Sequence, residues 1–585
     1  MYKLIKYLRP FLPAVFAVIV LIFLQTFSQL FLPRLMARIV DEGIAAGNTP
    51  LILQIGGIML LVALVGGLCA VGANFLSSRV GMGYSKNLRN VVFTHIQGFS
   101  LREYDEFGTA SLITRTTNDV VQVGMMILMS LRMAVMAPLM MFGGIVMAVA
   151  QDSQLARLIW VLMPILTVAV IALAYVAMPL FKALQAKLDK LNLILRENLT
   201  GIRVIRAFNR DEHEARRFDA ANWDLTRTAV RINRLMAGAM PGAMLLINLS
   251  SVAIVWFGGL RIAGGDMEVG SLMAFLQYMM QILFSLMMVS MFFVMLPRAL
   301  ASVSRINAVL NTTADIQDPV AVGEGREVED RGGRNKIPHA LVEFRNVTFS
   351  YPGAEVPALE EISFTAAPGE ITAIIGGTGS GKSTLVNLIP RFYDVDEGSV
   401  LVDGVDVREL TQAELRAKIG YVPQQSLLFS GTVADNICFG KEDASAEEIE
   451  RAARIAQAVD FVHGLPQGFE SNVAQGGTNF SGGQKQRLAI ARALVRQADI
   501  YIFDDSFSAL DFRTDARLRS ALNQEISGAS ILIVAQRVTT VMDAHSIIVL
   551  DAGKVAGIGT HKELMETCSV YREIVFSQVS EEEIA

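Results

Sequence analysis

Residues 376–383 read Gly376-Gly377-Thr378-Gly379-Ser380-Gly381-Lys382-Ser383, between an apolar stretch, Ile371 to Ile375, that reads as a strand and Thr384 to Ile389, which reads as a helix. Glycines at this density let backbone N–H groups curl around phosphate oxygens, and the start of the helix favours the anion. Lys382 is placed to reach the outer phosphates, and the Ser383 hydroxyl to ligate Mg²⁺. A merely flexible Gly-rich turn is the bland alternative. A chance match in a chain this long has a probability of roughly a few per cent at most, and the strand-loop-helix context lowers it further. Downstream, Ile500-Tyr501-Ile502-Phe503-Asp504 is an apolar strand ending in a carboxylate, the arrangement that holds a metal beside such a loop, directly or through water. The two motifs together specify nucleotide binding.

The elements that must position these residues occupy only part of the chain. Its 585 residues exceed one ordinary domain, and 52% hydrophobic residues with a mean hydropathy of +0.42 are too apolar for a fully soluble protein. Residues 1–310 hold 27 Lys/Arg against 16 Asp/Glu and residues 311–585 hold 24 against 40, so the halves carry +11 and −16 within a total of −5. The basic residues interleave with apolar runs and the soluble-looking half is acidic, which argues against nucleic acid as a partner. Cys69, Cys438 and Cys568 are too widely spaced for a CxxC pair or a zinc knuckle and read as free thiols.

Apolar stretches near residues 11–33, 51–76, 125–150, 158–181, 236–260 and 271–297 are each long enough to cross about 30 Å of hydrocarbon as a helix. The first is longer than a signal-peptide core and lacks a convincing cleavage site, so it reads as a retained helix. Six spans put both termini on one side. The segments 77–124 and 182–234 hold 5 and 12 Lys/Arg and the N-terminal stretch adds Lys3, Lys6 and Arg9, whereas the three opposite connections hold only Arg34, Arg38, Arg157 and Arg261. The positive-inside bias therefore places the long loops and both termini in the cytoplasm. Mixed apolar and charged residues at helical spacing, as in Lys182 to Phe218, predict helices continuing well beyond the bilayer. Residues 311–340 lose this periodicity and read as a solvated linker. Beyond it, Val342, Phe344, Val347 and Phe349 suggest a partly alternating strand, and strands then alternate with helices to about residue 578. The predicted organisation is an α-helical membrane domain at 1–310, the linker, an α/β P-loop ATPase domain at 341–578 and a tail at 579–585.

Phe480-Ser481-Gly482-Gly483-Gln484, followed by Lys485-Gln486-Arg487, resembles the signature motif of ABC transporter ATPases, and six spans ahead of one such domain match the half-transporter layout of type IV ABC exporters. Two further stretches look familiar, Tyr104-Asp105 through Asn118-Asp119-Val120 and Glu197 through Arg210. The resemblance implies ATP and Mg²⁺ as ligands, with Gly376 through Thr384 around the phosphates and Ser383, Gln424 and Asp504 at the metal. It implies that Tyr351 stacks on adenine, that Gln424 senses Mg²⁺ and the attacking water, and that Ser508-Ala509-Leu510-Asp511 links two nucleotide sites. Two such domains sandwich two ATP molecules in this family, each held between one domain's phosphate loop and the other's Ser481-Gly482-Gly483-Gln484 equivalent. One chain is then half a machine.

Three positions depart from the family pattern. Asp505 stands where most members have a Glu that polarises the hydrolytic water. Gln536 stands where a His usually contacts the γ-phosphate, and an amide cannot become cationic or transfer a proton. Val473-Ala474-Gln475-Gly476-Gly477 lacks the Glu common in the stretch that meets the partner's cytoplasmic loops. Neutral drift in a working homodimer is one explanation. The coincidence of the first two losses with an intact signature instead resembles the degenerate-site chain of bacterial heterodimeric multidrug exporters, whose partner would supply Glu and His.

The cargo is harder to read. Residues 1–300 hold 25 of the 27 Met, and the last span places Met273, Gln277, Met280, Phe284, Met287 and Met291 on one helical face. Thioethers and an aromatic repack around varied apolar ligands, which suits drug-like or lipid-like amphiphiles; ordinary lipid-facing or packing surface is the alternative. Arg132, a cation within an apolar span, should face protein or water, touching a polar substrate or pairing with a carboxylate. A homodimeric lipid or peptide exporter and an ATP-gated channel or regulator share this layout. An ABC protein of translation or DNA repair would need a soluble chain, and the six spans exclude it.

Overall fold

In a computed structural model the described residues are 4, 6–319, 340–526 and 528–578. Most of the 311–340 linker and all of the 579–585 tail lie outside them. The chain divides into two compact units, Met1–Gln97 with Thr109–Thr312, and Gly98–Gly108 with Thr313–Ala585.

Six helices build the first unit: α1 (Lys6–Ile44), α2 (Thr49–Gln97), α3 (Thr109–Gln151), α4 (Arg157–Thr200), α5 (Asp211–Ala263) and α6 (Val269–Asn311). Each contains one of the six apolar runs and continues past it. The 49 residues of α2 span about 74 Å at 1.5 Å per residue, more than twice the hydrocarbon thickness, so the mixed sequences flanking the runs do extend the helices. Outward residues such as Leu60, Trp160 and Tyr175 are apolar and largely exposed, the surface that lipid requires. Small residues let helices approach closely: a Cβ on Gly124 of α3 would fall 1.9 Å from Ser85 Oγ of α2. Asp119, buried in a π turn at Arg115–Asp119, accepts from Ser302 Oγ at 2.9 Å and Arg305 Nε at 2.7 Å, fastening α3 to α6.

Helix α6 has two distinct faces. Phe275, Tyr278 and Ile282 are fully buried, with the Tyr278 hydroxyl donating to Leu30 O of α1 at 3.0 Å. Gln277, Met280, Phe284, Met287 and Met291 are exposed on the other side. Period-3.6 spacing thus separates packing residues from a stripe that this chain leaves uncovered.

The second unit contains two main sheets. An antiparallel sheet has the order β2-β1-β4-β5, with β1 (Val342–Phe349), β2 (Leu359–Ala366), β4 (Glu397–Val402) and β5 (Val405–Asp406). Val342, Phe344, Val347 and Phe349 all point inward; a register shift between Phe344 and Val347 adds the residue that breaks strict alternation. The larger sheet has the order β12-β11-β3-β10-β9-β6, from β3 (Ile371–Gly376), β6 (Ile419–Val422), β9 (Ile500–Asp504), β10 (Ser530–Val534), β11 (Ser546–Asp551) and β12 (Lys554–Gly559); Gly431–Thr432 and Asn472–Val473 form a small pair, β7 and β8. All but β12 are parallel, and their interior residues are apolar because both faces are covered. The unit's named helices are α7 (Lys382–Leu388), α8 (Gly482–Leu494), α9 (Phe512–Glu525) and α10 (Ser569–Phe576). α7 starts two residues earlier than the sequence suggests, because Lys382 and Ser383 form its first turn.

Candidate nucleotide site

Parallel pairing decides where the chemistry gathers. Ile374 of β3 is opposite Val534 of β10, and Val534 is opposite Asp504 of β9. The chain leaving each strand therefore emerges at one sheet edge, the carboxyl ends where α/β sheets bind ligands. The loop from β3 carries residues 376–381, the end of β9 carries Asp504 and Asp505, and the exit of β10 leads to Gln536.

The phosphate loop needs its glycines. Gly379 and Gly381 have φ of +82° and +96°, and a Cβ on Gly381 would meet Leu359 Cδ2 at 2.7 Å and Ala358 O at 2.8 Å. Lys382 is buried and donates to Gly376 O at 2.9 Å and Gly377 O at 2.7 Å; burial lowers its pKa, with Asp505 and Asp504 pulling the other way. Ser383 Oγ donates to Asp504 Oδ1 at 2.9 Å, so two hard oxygens from separate motifs meet. The Ser380 hydroxyl is buried in the same loop with no hydrogen-bond partner among the described residues. Hard oxygens beside an orphaned polar cradle fit Mg²⁺ with a phosphate ligand. Tyr351, partly exposed, hydrogen-bonds through its hydroxyl to Thr384 Oγ1 at 3.0 Å and packs edge-on against Tyr393, with ring centroids 5.4 Å apart. Tyr393 was not legible as part of this region, since its contacts to Phe349 and Tyr351 close only when β1 and the end of α7 come together.

Asp505 is gripped from several sides. Its φ of +49° is uncommon for a side chain larger than glycine, its N–H donates to Val534 O at 3.0 Å, and its carbonyl accepts from Ser508 Oγ at 2.9 Å. One carboxylate oxygen, Oδ2, accepts both Gln424 Nε2 at 3.3 Å and Gln536 Nε2 at 2.9 Å. Burial raises the pKa of Asp504 and of Asp505; Ser383 opposes it at the first, and Gln424 and Lys382 at the second. The structure thus brings together Tyr351, residues 376–384, Gln424, Asp504, Asp505 and Gln536.

The Ser481–Gln484 stretch begins α8, with Gly483 packed beside Ala509. Ser481 caps α8 in a reciprocal box, its Oγ accepting from Gln484 N at 3.3 Å and its N–H donating to Gln484 Oε1 at 2.9 Å. Among the described residues no hydrogen bond joins it to the phosphate loop.

Residues 15–287 match the family model described as ABC transporter transmembrane region, and residues 359–508 match that described as ABC transporter. An uncharacterized ABC transporter ATP-binding protein of Mycobacterium tuberculosis (strain CDC 1551 / Oshkosh) is 45% identical over 580 residues, covering 98% of this chain and 97% of the relative. This chain belongs to the ABC transporter family. Among solved structures, that of a bacterial Atm1-family ABC exporter with ATP bound superposes with a TM-score of 0.79 at 26% identity, over 97% of this chain and 98% of the other. A protein named ATP-dependent lipid A-core flippase from Chromobacterium violaceum is 31% identical over 548 residues, 94% of this chain and 92% of that one. The ABC transporter chain described here is accordingly an integral membrane protein with an exporter-type fold and an ATPase domain, of a kind that works as a dimer.

The remaining motif stretches fall into defined surroundings. Tyr104 and Asp105 lie on the short helix Leu101–Phe107, which groups with the ATPase unit. Its Glu103 is buried and accepts from Ser100 N at 2.7 Å and Asp315 N at 3.1 Å. Glu197 pairs with Arg217 at 2.7 Å. In the stretch before the signature, Gly476 and Gly477 adopt φ of +66° and +65°, so glycines there serve a turn. Arg132 is exposed, and among the described residues no ion pair joins it to a carboxylate.

Proposed function

We propose that this chain is one half of an ATP-driven exporter of amphipathic, drug-like or lipid-like compounds, that it pairs with a different chain, and that its own ATP site hydrolyses slowly. The observation that carries the reading is the Asp505 carboxylate held by two amides. Asp is one methylene shorter than Glu, which draws the carboxylate back by roughly 1 to 1.5 Å, and misplacement of that size costs about a hundredfold in rate. Gln536 offers an N–H where a His would offer a cation and a proton path. Lys382, Ser383 and Asp504, with Tyr351 at the adenine, retain ATP on this chain. Bound Mg²⁺ would neutralise developing phosphate charge, held by Ser383 and Asp504 with Gln424 alongside. Ser481 to Gln484 complete the partner's fast site, in which the partner supplies Glu and His.

ATP binding draws this chain's ATPase domain, residues 341–578, and the partner's together. Closure converts an inward-open cavity between this chain's membrane domain, residues 1–310, and the partner's to an outward-open one, and hydrolysis resets it. The exposed stripe from Gln277 to Met291, with Arg132, supports a path for amphiphiles, and the flippase name borne by a relative supports a lipid-like cargo. The Lys/Arg bias supports a cytoplasmic membrane with the ATPase domain and both termini inside.

Purified alone, the chain should show little ATPase activity. Co-purified with a half-transporter that carries the Glu and His, it should turn over with stimulation by amphiphiles. Brisk hydrolysis by a homodimer with two equivalent sites would overturn the heterodimer reading.

A further inference from the structure

Gln536 is fixed by its neighbours as well as by Asp505. Gln578, two residues beyond α10, spans its backbone: Nε2 donates to Gln536 O at 2.8 Å, and Oε1 accepts from Val538 N at 2.9 Å. A single planar amide thus satisfies an acceptor and a donor two residues apart, donating through its nitrogen and accepting through its oxygen. Val538 starts a four-residue helix whose preceding residue offers no side-chain cap, so its N–H has no local partner.

The anchor behind Gln578 is rigid. Tyr571 and Val575 of α10 are buried in the same apolar cluster as Val538 and Val541. Cys568 Sγ accepts from Tyr571 N at 3.5 Å, and the Tyr571 hydroxyl meets His561 Nδ1 at 2.8 Å. The Gln578 N–H donates to Val575 O at 3.0 Å, which ties the residue to the end of the helix. On the other side, Arg537 donates to Ser508 O at 3.2 Å, and Ser508 in turn holds the carbonyl of Asp505.

We infer that Gln578 is a positioning residue for nucleotide binding, holding the Gln536 backbone so that the side-chain amide is aimed at the terminal phosphate of a bound nucleoside triphosphate. The inference rests on the reading of Gln536 given above and adds to it the C-terminal helix as part of the triphosphate sensor. With its carbonyl held by Gln578 and its Nε2 already bonded to Asp505, Gln536 loses less freedom when it engages a phosphate, so the clamp favours triphosphate over diphosphate.

The test compares the full-length chain in detergent with its Q578L, Q578E and Q536A variants, measuring affinity for AMP-PNP and for ADP. Q578L should weaken AMP-PNP about three- to tenfold, the size expected when one more side chain must be ordered on binding, and leave ADP unchanged. Q578E keeps the acceptor for Val538 N–H but faces the Gln536 carbonyl with a carboxylate, and should be weakened for AMP-PNP alone. Q536A should lower the same ratio. An altered ratio in Q536A with an unchanged one in both Gln578 variants overturns the clamp while sparing the reading of Gln536. An unchanged ratio in Q536A overturns both. Equal loss of the two nucleotides in Q578L and Q578E would mark a merely structural contact and also overturn the clamp.

Discussion

The binding half and the cleaving half of the nucleotide site are built differently. On the binding side, Lys382 reaches backbone carbonyls of its own loop and Ser383 meets Asp504. On the side proposed to cleave, Asp505 and Gln536 stand where the resemblance implies a Glu and a His, and they bond to each other at 2.9 Å. Holding a phosphate needs fixed N–H donors and a cation, whereas cleaving one needs a carboxylate placed to within a fraction of an ångström and a group able to move a proton. The first set of demands can persist when the second is relaxed.

Changes on either side should separate the two halves, beginning with the binding side. K382A removes the one buried cation from the phosphate loop and should weaken ATP by a hundredfold or more, read by equilibrium binding to the purified chain. The double change D505E with Q536H should raise hydrolysis at this site by about a hundredfold while moving ATP affinity little, measured as single-turnover phosphate release. No change in rate or retention would remove the claimed division. Y351A should cost about tenfold in ATP affinity by loss of stacking, and Y351F, which loses only the Thr384 bond, about twofold.

The smallest expected effect is on pH dependence. Burial raises the pKa of Asp504 and Asp505 above the ordinary 3.8, so the folded nucleotide-free chain binds these protons more tightly than the unfolded one. Their contribution to stability is therefore fully present below pH 3.8 and is lost as pH rises through the raised folded values. D504N should flatten the fall in Tm across that window, and an unaltered slope would show that this carboxylate does not carry it.

Much of this was legible because the relevant signals are local. Six apolar runs are six helices since a run of about twenty apolar residues has few other stable places. Gly376 to Ser383 could be read because phosphate binding there uses one short stretch of backbone. The bulge in β1 and the earlier start of α7 were less legible, as both depend on register with neighbouring strands. The grouping of Gly98–Gly108 with the ATPase unit could not be read at all, because Glu103 and Asp315 meet across more than two hundred residues. Gln578 is illegible in the sequence for a similar reason: a lone Gln near a C-terminus carries no spacing signal, and its bonds to Gln536 and Val538 form only once α10 packs beside Val538.

The amino-acid order alone therefore determined the membrane runs, the phosphate loop, the metal carboxylate and the absence of the usual Glu and His, all of which depend on residue type and short-range spacing. Tertiary structure decided that both amides converge on one oxygen of Asp505, that Ser481 and Gln484 cap α8 reciprocally, and that Gln578, just beyond the C-terminal helix, holds the Gln536 backbone. Those facts follow from the order and register in which distant strands pair, and hydrogen-bond geometry at a few ångströms cannot be inferred until that pairing is known.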